Sequence, residues 1–521
     1  MIHLKIDNID ISVAEDTSVL EAAKTVGIAI PSMCYMEGFD NSPSCMVCLV
    51  KNKKTGQLLP SCALKVTEGM EILCDDPEVK EARKEALELL LSDHVGDCEA
   101  PCSLACPANM NIPVMNRLIA AKSFTESLKV VKEEIALPFV LGYICPAPCE
   151  KACRRKQIDE PVSICLLKRF VAGNGPSALE VPSQAGNKIF PGKSVAIIGT
   201  GTAGLASAYY LLQFGHQVVL FDKNDKVGGT LRYSIPDDEL PKNVLDAEVE
   251  IIRSFGAEFR LNTLITAEIF EHEILGKFDA VIIATGDIAV SDHLTSLFQH
   301  SKNGISVNEG TFAVSAKGIF ACGSVVRSQK MAVRAVAQGK SAAISADLFL
   351  KGAELKKSVK RFNSRFDKLF APEFTEYLKE SVPDKRLNPK GGFIEGFTTD
   401  EAVNEAARCL HCDCRKPETC KLRIYADEYK ADRKKYLLGE RKIMLKHFQH
   451  ELVVFEPEKC IKCGLCIDIT VKSNELTGLT YIGRGFDVRI DVPFNQSLKV
   501  ALTHTAKKCA EACPTGALAI K

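Results

Sequence analysis

The sequence lacks an excess of charge of either sign: 66 lysines and arginines stand against 66 aspartates and glutamates in 521 residues. A balanced chain without a basic stripe gives no reason to expect nucleic acid as a partner. No apolar run approaches the ~20 residues of a membrane helix, so direct membrane insertion is not expected. The opening residues, MIHLKIDNIDISVAED, lack the basic start and long apolar stretch of a secretory signal, and a cytoplasmic protein is expected. No solenoid repeat is visible. Beyond a single glycine-rich dinucleotide fingerprint there is no second one, which argues against a second nucleotide site of that kind. Tryptophan is absent, and nothing is drawn from that.

Cysteine is what the chain has in plenty: 22 residues, in tight groups. In a chain without export signals such groups are metal ligands more readily than disulfides. The length suggests three to five domains. Residues 1–75 read as a small β-rich unit, with HLKID and DISVA alternating about Asn8 as a hairpin. Thr17 or Ser18 then caps a short helix ending near Gly27. A charged amphipathic helix follows at 77–92, and a cysteine field with two helical stretches at 93–170. A Pro-, Gly- and Ser-rich linker spans about 171–192. Residues 193–350 alternate strands and helices in the manner of a parallel α/β sheet. Residues 351–370 read as the basic face of a solvated helix, and clustered cysteines return from about 395.

VAII at 195–198 is a short buried strand. Gly199-Thr-Gly201-Thr-Ala203-Gly204 and an alanine-rich helix follow, and a second strand, VVLF, ends on Asp222. The glycines permit a tight turn and close approach to a pyrophosphate, and the helix start offers free N–H groups and a positive dipole end. Asp222 can accept ribose hydroxyls. Gly228-Gly229-Thr230, a strand FDAVIIATG ending on Thr285-Gly286, and GIFACGSVV with Gly323 and Ser324 favour FAD over a nicotinamide. Together they look like the FAD fold of the glutathione reductase type.

Residues 98–350 resemble the small subunit of glutamate synthase, and also the flavin ends of dihydropyrimidine dehydrogenase and of NADH-dependent ferredoxin:NADP oxidoreductase. The shared text is Cys106-Pro107, CPAPCEKAC at 145–153, LRYSIPDDELPK at 231–242 and the FAD motifs. Two departures matter. The family usually has Asp where this chain has Ser324, which implies weaker or altered FAD binding. The family also inserts a whole NAD(P)-binding domain between the ATG and GIFA strands. Here only 31 residues separate Gly286 from Gly318, too few for a domain. The nicotinamide site is expected to be missing.

Cys34, Cys45, Cys48 and Cys62 have a spacing suited to a [2Fe–2S] rhombus. It is close to the N-terminal domain of the large iron–sulfur subunit of complex I, with zinc as the alternative. In the glutamate synthase family two [4Fe–4S] clusters share the ligands of the next field. By position, that resemblance gives Cys98, Cys102 and Cys153 to one and Cys106, Cys145 and Cys149 to the other. His94, or no ligand at all, completes the first. Cys165 replaces a family Gln or Glu in the second, where Lys168 and Arg169 cannot serve. Cys409, Cys412, Cys414 and Cys420 make a compact set for [4Fe–4S] or zinc. Cys460, Cys463, Cys466 and Cys513-Pro514 complete one cluster of the bacterial ferredoxin pattern. The second cluster of that pattern is missing: Thr470, Thr503 and Ala506 stand at ligand positions, and Cys509 is an orphan. Cys74, Cys322 and Cys509 are left over.

The expected fold class is multidomain, α/β and α+β. A β-grasp [2Fe–2S] ferredoxin domain spans 1–75 and an α-helical iron–sulfur domain 76–185. A Rossmann-like FAD domain spans 186–350, a linker with the four-cysteine set 351–430, and a [4Fe–4S] ferredoxin-like domain 431–521. The expected cofactors are one FAD, one [2Fe–2S] and about four [4Fe–4S] clusters. The expected function is an electron-transfer subunit whose partners are other redox subunits, a ferredoxin among the candidates. Complex I-type flavin subunits, hydrogenases and formate dehydrogenases fit the resemblance, and electron bifurcation stays open. A self-contained flavoenzyme of the glutamate synthase small-subunit type is the alternative. The chain alone is expected to be inactive with NAD(P)H.

Overall fold

The computed structural model describes residues 1–39, 42–174, 192–287, 294–356, 361–437, 439 and 441–521. The linker expected at 171–192 lies mostly outside the described residues. The chain forms two compact units that interleave along the sequence: 1–100, 361–380 and 411–521 make the first, 101–360 and 381–410 the second. Among the described residues no helix is long and apolar enough to cross a membrane.

The first unit opens with strands Ile2–Ile6 and Ile9–Val13, antiparallel about Asp7 and Asn8. Both turn residues have positive φ (45° and 68°), as a two-residue hairpin turn matched to strand twist requires. Helix Val19–Thr25 starts at a capping box in which Ser18 and Glu21 satisfy each other's backbone N–H. The five-stranded sheet runs in the order Ile9–Val13, Ile2–Ile6, Glu71–Leu73, Leu49–Asn52, Leu58–Pro60, with one parallel pair at Ile2–Ile6 and Glu71–Leu73. Leu4, Ile6, Val19, Ala22, Val50 and Ile72 fill its core.

Helix Pro77–Asp93 begins at Asp76, whose carboxylate accepts from Glu78 N, with proline at its first position. The sequence assigned this helix to the next domain, but its apolar face binds it to the first unit. Leu87 and Leu91 pack with Val47, Leu422 and Ala426, and the Arg83 guanidinium donates to the Leu49 carbonyl at 2.9 Å. The C-terminal part of the unit pairs Val453–Phe455 with Leu518–Ile520 and Thr480–Ile482 with Arg489–Asp491, beside helices Leu465–Lys472 and Ala506–Ala512.

The second unit starts with six short helices between Pro101 and Asn174 rather than two stretches. A parallel sheet follows in the order Ile319–Ala321, Ala280–Ile283, Ser194–Ile198, Gln217–Phe221, Glu258–Arg260. The chain enters at the central strand and builds outward to both sides, so the glycine loop after Ile198 sits at the topological switch point. The segment expected as a linker is divided. Residues 361–380 and 411–430 belong to the first unit, and 381–410 to the second. A buried polar network explains the second assignment. Glu405 accepts from Ser163 N (2.8 Å), Leu387 N (2.9 Å) and the Arg408 guanidinium (2.9 Å), and Arg155 donates to the Arg408 carbonyl (2.9 Å).

Candidate functional site

The dinucleotide cleft of the second unit follows from its glycines. Gly199 has φ +108°, and a Cβ there would lie 2.4 Å from the Ala284 carbonyl oxygen; a Cβ on Gly204 would lie 2.0 Å from the Gly199 carbonyl oxygen. Backbone can pass this closely only without side chains. Helix Thr202–Gln213 has no side-chain cap on its Gly201 end, which leaves first-turn N–H groups to a ligand. Ala203 is buried in that first turn, and Gly229 and Thr230 start the next helix after the second strand. Asp222 is turned toward the loop: one carboxylate oxygen accepts from Thr200 N (2.8 Å) and Thr200 Oγ1 (2.6 Å), the other from Asn224 N (2.9 Å). Thr285 Oγ1, before Gly286, is buried without a hydrogen-bond partner among the described residues. Gly323 and Ser324 open a helical turn, with Gly323 N donating to Gln338 at 2.8 Å. Thr202, Thr230, Ser324, Tyr143 and Cys145 all line one cleft of about 530 Å³.

At the Cys145 end that cleft meets a thiol group. Cys106, Cys145, Cys149 and Cys165 line one enclosed pocket, although they come from three separate stretches of chain. Cys145 ends helix Pro138–Ile144, and Ala147 at φ +49° reverses the chain to bring Cys149 back. Cys165 stands at the start of helix Ile164–Asn174, its N–H held by Glu150 at 3.0 Å. A hydrogen bond with Cys145 favours the Cys165 thiolate, but one with Cys149, together with burial, outweighs it and lifts the thiol to about 12. Lys168, one turn on, is buried in the wall of the same pocket. Burial opposes its charge, but Cys165, Cys145, Cys149 and Cys106 outweigh burial and raise it. Sequence reasoning set Lys168 aside as a non-ligand; its spacing from Cys165 was the signal that it borders the site. Cys102, Cys153 and Cys409 are also buried in this unit, Cys153 near Arg408.

In the first unit Cys34, Cys45, Cys48 and Cys62 form one chain of thiols. Cys34 and Cys45 stand 3.4 Å apart, and Cys62 hydrogen-bonds both Cys34 and Cys48. The bond from Cys62 draws Cys48 down to about 7. Cys460, Cys463, Cys466 and Cys513 line a second enclosed pocket. Lys462 at φ +57° turns its N–H onto Cys460 Sγ at 3.3 Å. Cys509 is buried beside it, its thiol 3.8 Å from the Cys466 carbonyl.

Cys98 stands beside Cys414 and Cys420: the Cys414 N–H donates to the Cys98 carbonyl at 3.2 Å, and Cys420 is in electrostatic reach of both thiols. The grouping expected from sequence put Cys98 with Cys102 and Cys153. No spacing rule connects positions more than three hundred residues apart, so this neighbourhood was not legible. Cys412 lies in reach of Lys446. His94 Nδ1 is buried without a hydrogen-bond partner among the described residues, and burial, then Lys459 and Arg433, lower the ring to about 4. Cys322 sits by Ser207 Oγ at 3.7 Å and Cys74 by Asp7, whose carboxylate accepts from Cys74 N at 2.7 Å. Among the described residues no three His, Cys, Asp or Glu side chains form a group for a single metal ion. In a polynuclear cluster each thiolate binds an iron of the cluster, and the ligands need not share one ion.

Three family models match. A 2Fe–2S iron–sulfur cluster binding domain covers residues 1–76, the 4Fe–4S cluster domain II of dihydropyrimidine dehydrogenase covers 78–177, and an NAD(P)-binding Rossmann-like domain covers 197–266. The β subunit of an NADP(+)-dependent formate dehydrogenase from Moorella thermoacetica is 38% identical, over 36% of this chain and 29% of its own length. The β subunit of an NADPH–Fe(3+) oxidoreductase from Geobacter sulfurreducens is 37% identical, over 36% and 28%. The small chain of an NADPH glutamate synthase from Mycobacterium tuberculosis is 34% identical, over 37% and 40%. The chain spans less than half the length of each of these relatives. It is thus a homologue, over a little more than a third of its length, of the glutamate synthase small chain and of redox-complex β subunits, with 2Fe–2S, 4Fe–4S and Rossmann-like domains in that order.

Proposed function

We propose that the chain is an electron-transfer subunit of a multi-subunit oxidoreductase that relays electrons between FAD and iron–sulfur clusters. The observation that carries this reading is the cleft in the second unit, which runs from the glycine loops to Cys145 of the four-thiol pocket. A flavin exchanges electrons singly or in pairs and iron–sulfur clusters exchange them singly, which is the chemistry such a pairing supplies. The first unit is read as a β-grasp [2Fe–2S] domain holding its cluster by Cys34, Cys45, Cys48 and Cys62. Its C-terminal part is a ferredoxin-like [4Fe–4S] domain using Cys460, Cys463, Cys466 and Cys513. Cys106, Cys145, Cys149 and Cys165 ligate a [4Fe–4S] cluster next to the flavin. Gly199–Gly204, Gly229 and Thr230 cradle the pyrophosphate, and Ser324 and Thr285 face the cofactor. Other redox subunits are the partners.

The Rossmann-like model's description favours a second reading, in which a nicotinamide occupies the same cleft. Against it stand Gly228-Gly229, the strand ending on Thr285-Gly286 and the GIFACGSVV segment, the features that favour FAD over a nicotinamide. Anaerobically purified protein separates the two. Extractable FAD with flavin bands, plus broad absorption that dithionite bleaches, supports the proposal. Zinc without iron, or a nicotinamide with no flavin, ends it.

A further inference from the structure

The loop that carries Cys414 and Cys420 is fastened to the segment that carries Cys513. The Lys421 N–H donates to the Pro514 carbonyl at 2.8 Å, and the Lys416 ammonium donates to the carbonyls of Cys513 (2.7 Å) and Ala510 (2.8 Å). Cys414 Sγ fills the space that a side chain at position 516 would need: a Cβ on Gly516 would stand 2.1 Å from that sulfur. Cys98 is fixed to Ser364 from two sides. Cys98 N donates to the Ser364 carbonyl at 2.9 Å, and Ser364 N donates to Cys98 Sγ at 3.3 Å. An N–H aimed at a buried sulfur favours the thiolate that a metal needs. Cys98, Cys414 and Cys420 are all buried. Lys459 lies near Cys98 and Cys414, and Arg423 near Cys98, so cations offset the charge of deprotonated thiols.

We infer that Cys98, Cys414 and Cys420 ligate one and the same four-iron cluster. The inference rests on the proposed reading of the chain as an iron–sulfur protein. Iron rather than zinc follows from the surroundings. Cys420 shares one apolar cluster with Cys34 and Cys45, and Cys463 packs against the same cluster. Cys420 thus adjoins both the [2Fe–2S] set and the ferredoxin set of the first unit. A one-electron carrier at that place extends the relay, whereas zinc, which has no redox chemistry, does not.

The test uses the full chain purified anaerobically, with Cys98→Ala, Cys414→Ala and the double variant. Each single variant is expected to lose about four irons per chain. Both are expected to lose the same component of the reduced electron paramagnetic resonance spectrum, and the double variant no more than either. Roughly twice the loss in the double variant would place the two cysteines on different clusters and overturn the inference. Unchanged iron in either single variant overturns it, as does wild-type zinc that disappears with Cys414. Cys98→Ser and Cys414→Ser, which keep the side chains close to their native size, give a second reading: both should shift the same spectral component that the alanine variants remove, and shifts in two different components contradict a shared cluster. Wild-type protein without iron would instead defeat the underlying reading.

Discussion

Replacing Lys168 with methionine removes a buried ammonium from the wall of the pocket formed by Cys106, Cys145, Cys149 and Cys165, while keeping an unbranched apolar stem. The ammonium donates to the Leu141 carbonyl at 3.2 Å, and that oxygen also accepts from Cys145 N at 3.2 Å, so the substitution leaves it partnered. Stability should therefore change little, and the effect should fall on the cluster. A separation of about 6 Å between a wall charge and the cluster is assumed. A unit charge at that distance, at an effective dielectric of about 20, is worth 332/(20 × 6), or about 3 kcal/mol. About 1.4 kcal/mol corresponds to about 59 mV for one electron, so the full effect is about 120 mV. Loss of a positive charge disfavours the added electron, and the midpoint should move to more negative potential. Redox titration followed by electron paramagnetic resonance is the assay. Lys168→Met should keep its iron and shift one component by roughly 50–120 mV, while Lys168→Arg should stay near wild type. A midpoint unmoved in every component, or a lost cluster, would refute the reasoning.

Cys165→Ser should remove or convert one cluster, read as a missing component in the reduced spectrum; an unchanged set of components would rule Cys165 out as a ligand. Gly204→Ala would force a Cβ to within 2.0 Å of the Gly199 carbonyl oxygen, and is expected to yield iron-replete protein without FAD; full flavin retention would show that the loop is not the cradle. Mixing the lone chain with excess NADH or NADPH should bleach its flavin slowly if, as the short stretch between Gly286 and Gly318 suggests, no separate domain positions a nicotinamide, since positioning is worth on the order of 7–11 kcal/mol of barrier. Rapid, saturable bleaching in a stopped-flow cell would reveal an overlooked nicotinamide site. Glu248 is buried, accepts from Phe139 N (2.8 Å) and Val140 N (3.0 Å), and has Lys132 and Lys168 nearby; burial raises it from 4.5 to about 7. A carboxyl raised in the folded state contributes stability below its unfolded value that is lost as pH rises toward 7, about 3 kcal/mol in all. Glu248→Gln should flatten the fall of the melting midpoint between pH 5 and 7; an unchanged slope would mean Glu248 is ionised throughout.

Local chemistry made much of this chain legible. The Asp7-Asn8 hairpin, the Ser18 cap and the strands at Ser194–Ile198 and Gln217–Phe221 follow from turn residues, capping and periodicity within short windows. That Cys460, Cys463 and Cys466 line one pocket is readable for the same reason: short chain between them leaves few alternatives. The interleaving of the units was not readable. It depends on buried groups far apart in sequence, as where Glu405 accepts from Ser163 N 242 residues away. Segment 351–430 looked like a linker because it is polar, yet Glu405 and Arg408 in it are fully buried and satisfied by each other and by backbone.

In the C-terminal half, topology brings together cysteines that motif position alone does not connect. Cys412, Cys414 and Cys420 lie within nine residues, which made a self-sufficient four-thiol set with Cys409 the economical reading. Adjacent cysteines in an extended C-x-C stretch point their side chains the same way only when the backbone allows it, and His411 just ahead has φ +46°. Cys412 lies in reach of Lys446, and Cys414 sits between the Cys98 backbone and Gly516. Two features could have pointed there: Gly516, in the Cys-Pro-Thr-Gly run, leaves room beside Cys513 for another sulfur, and Lys416 and Lys421 bracket Cys420 with donors for that run's carbonyls. Neither is a spacing rule. Both become meaningful only once the sheet pair Val453–Phe455 and Leu518–Ile520 has brought the end of the chain back beside the Cys460 loop, and that closure sets Cys513 beside the thiols of that loop.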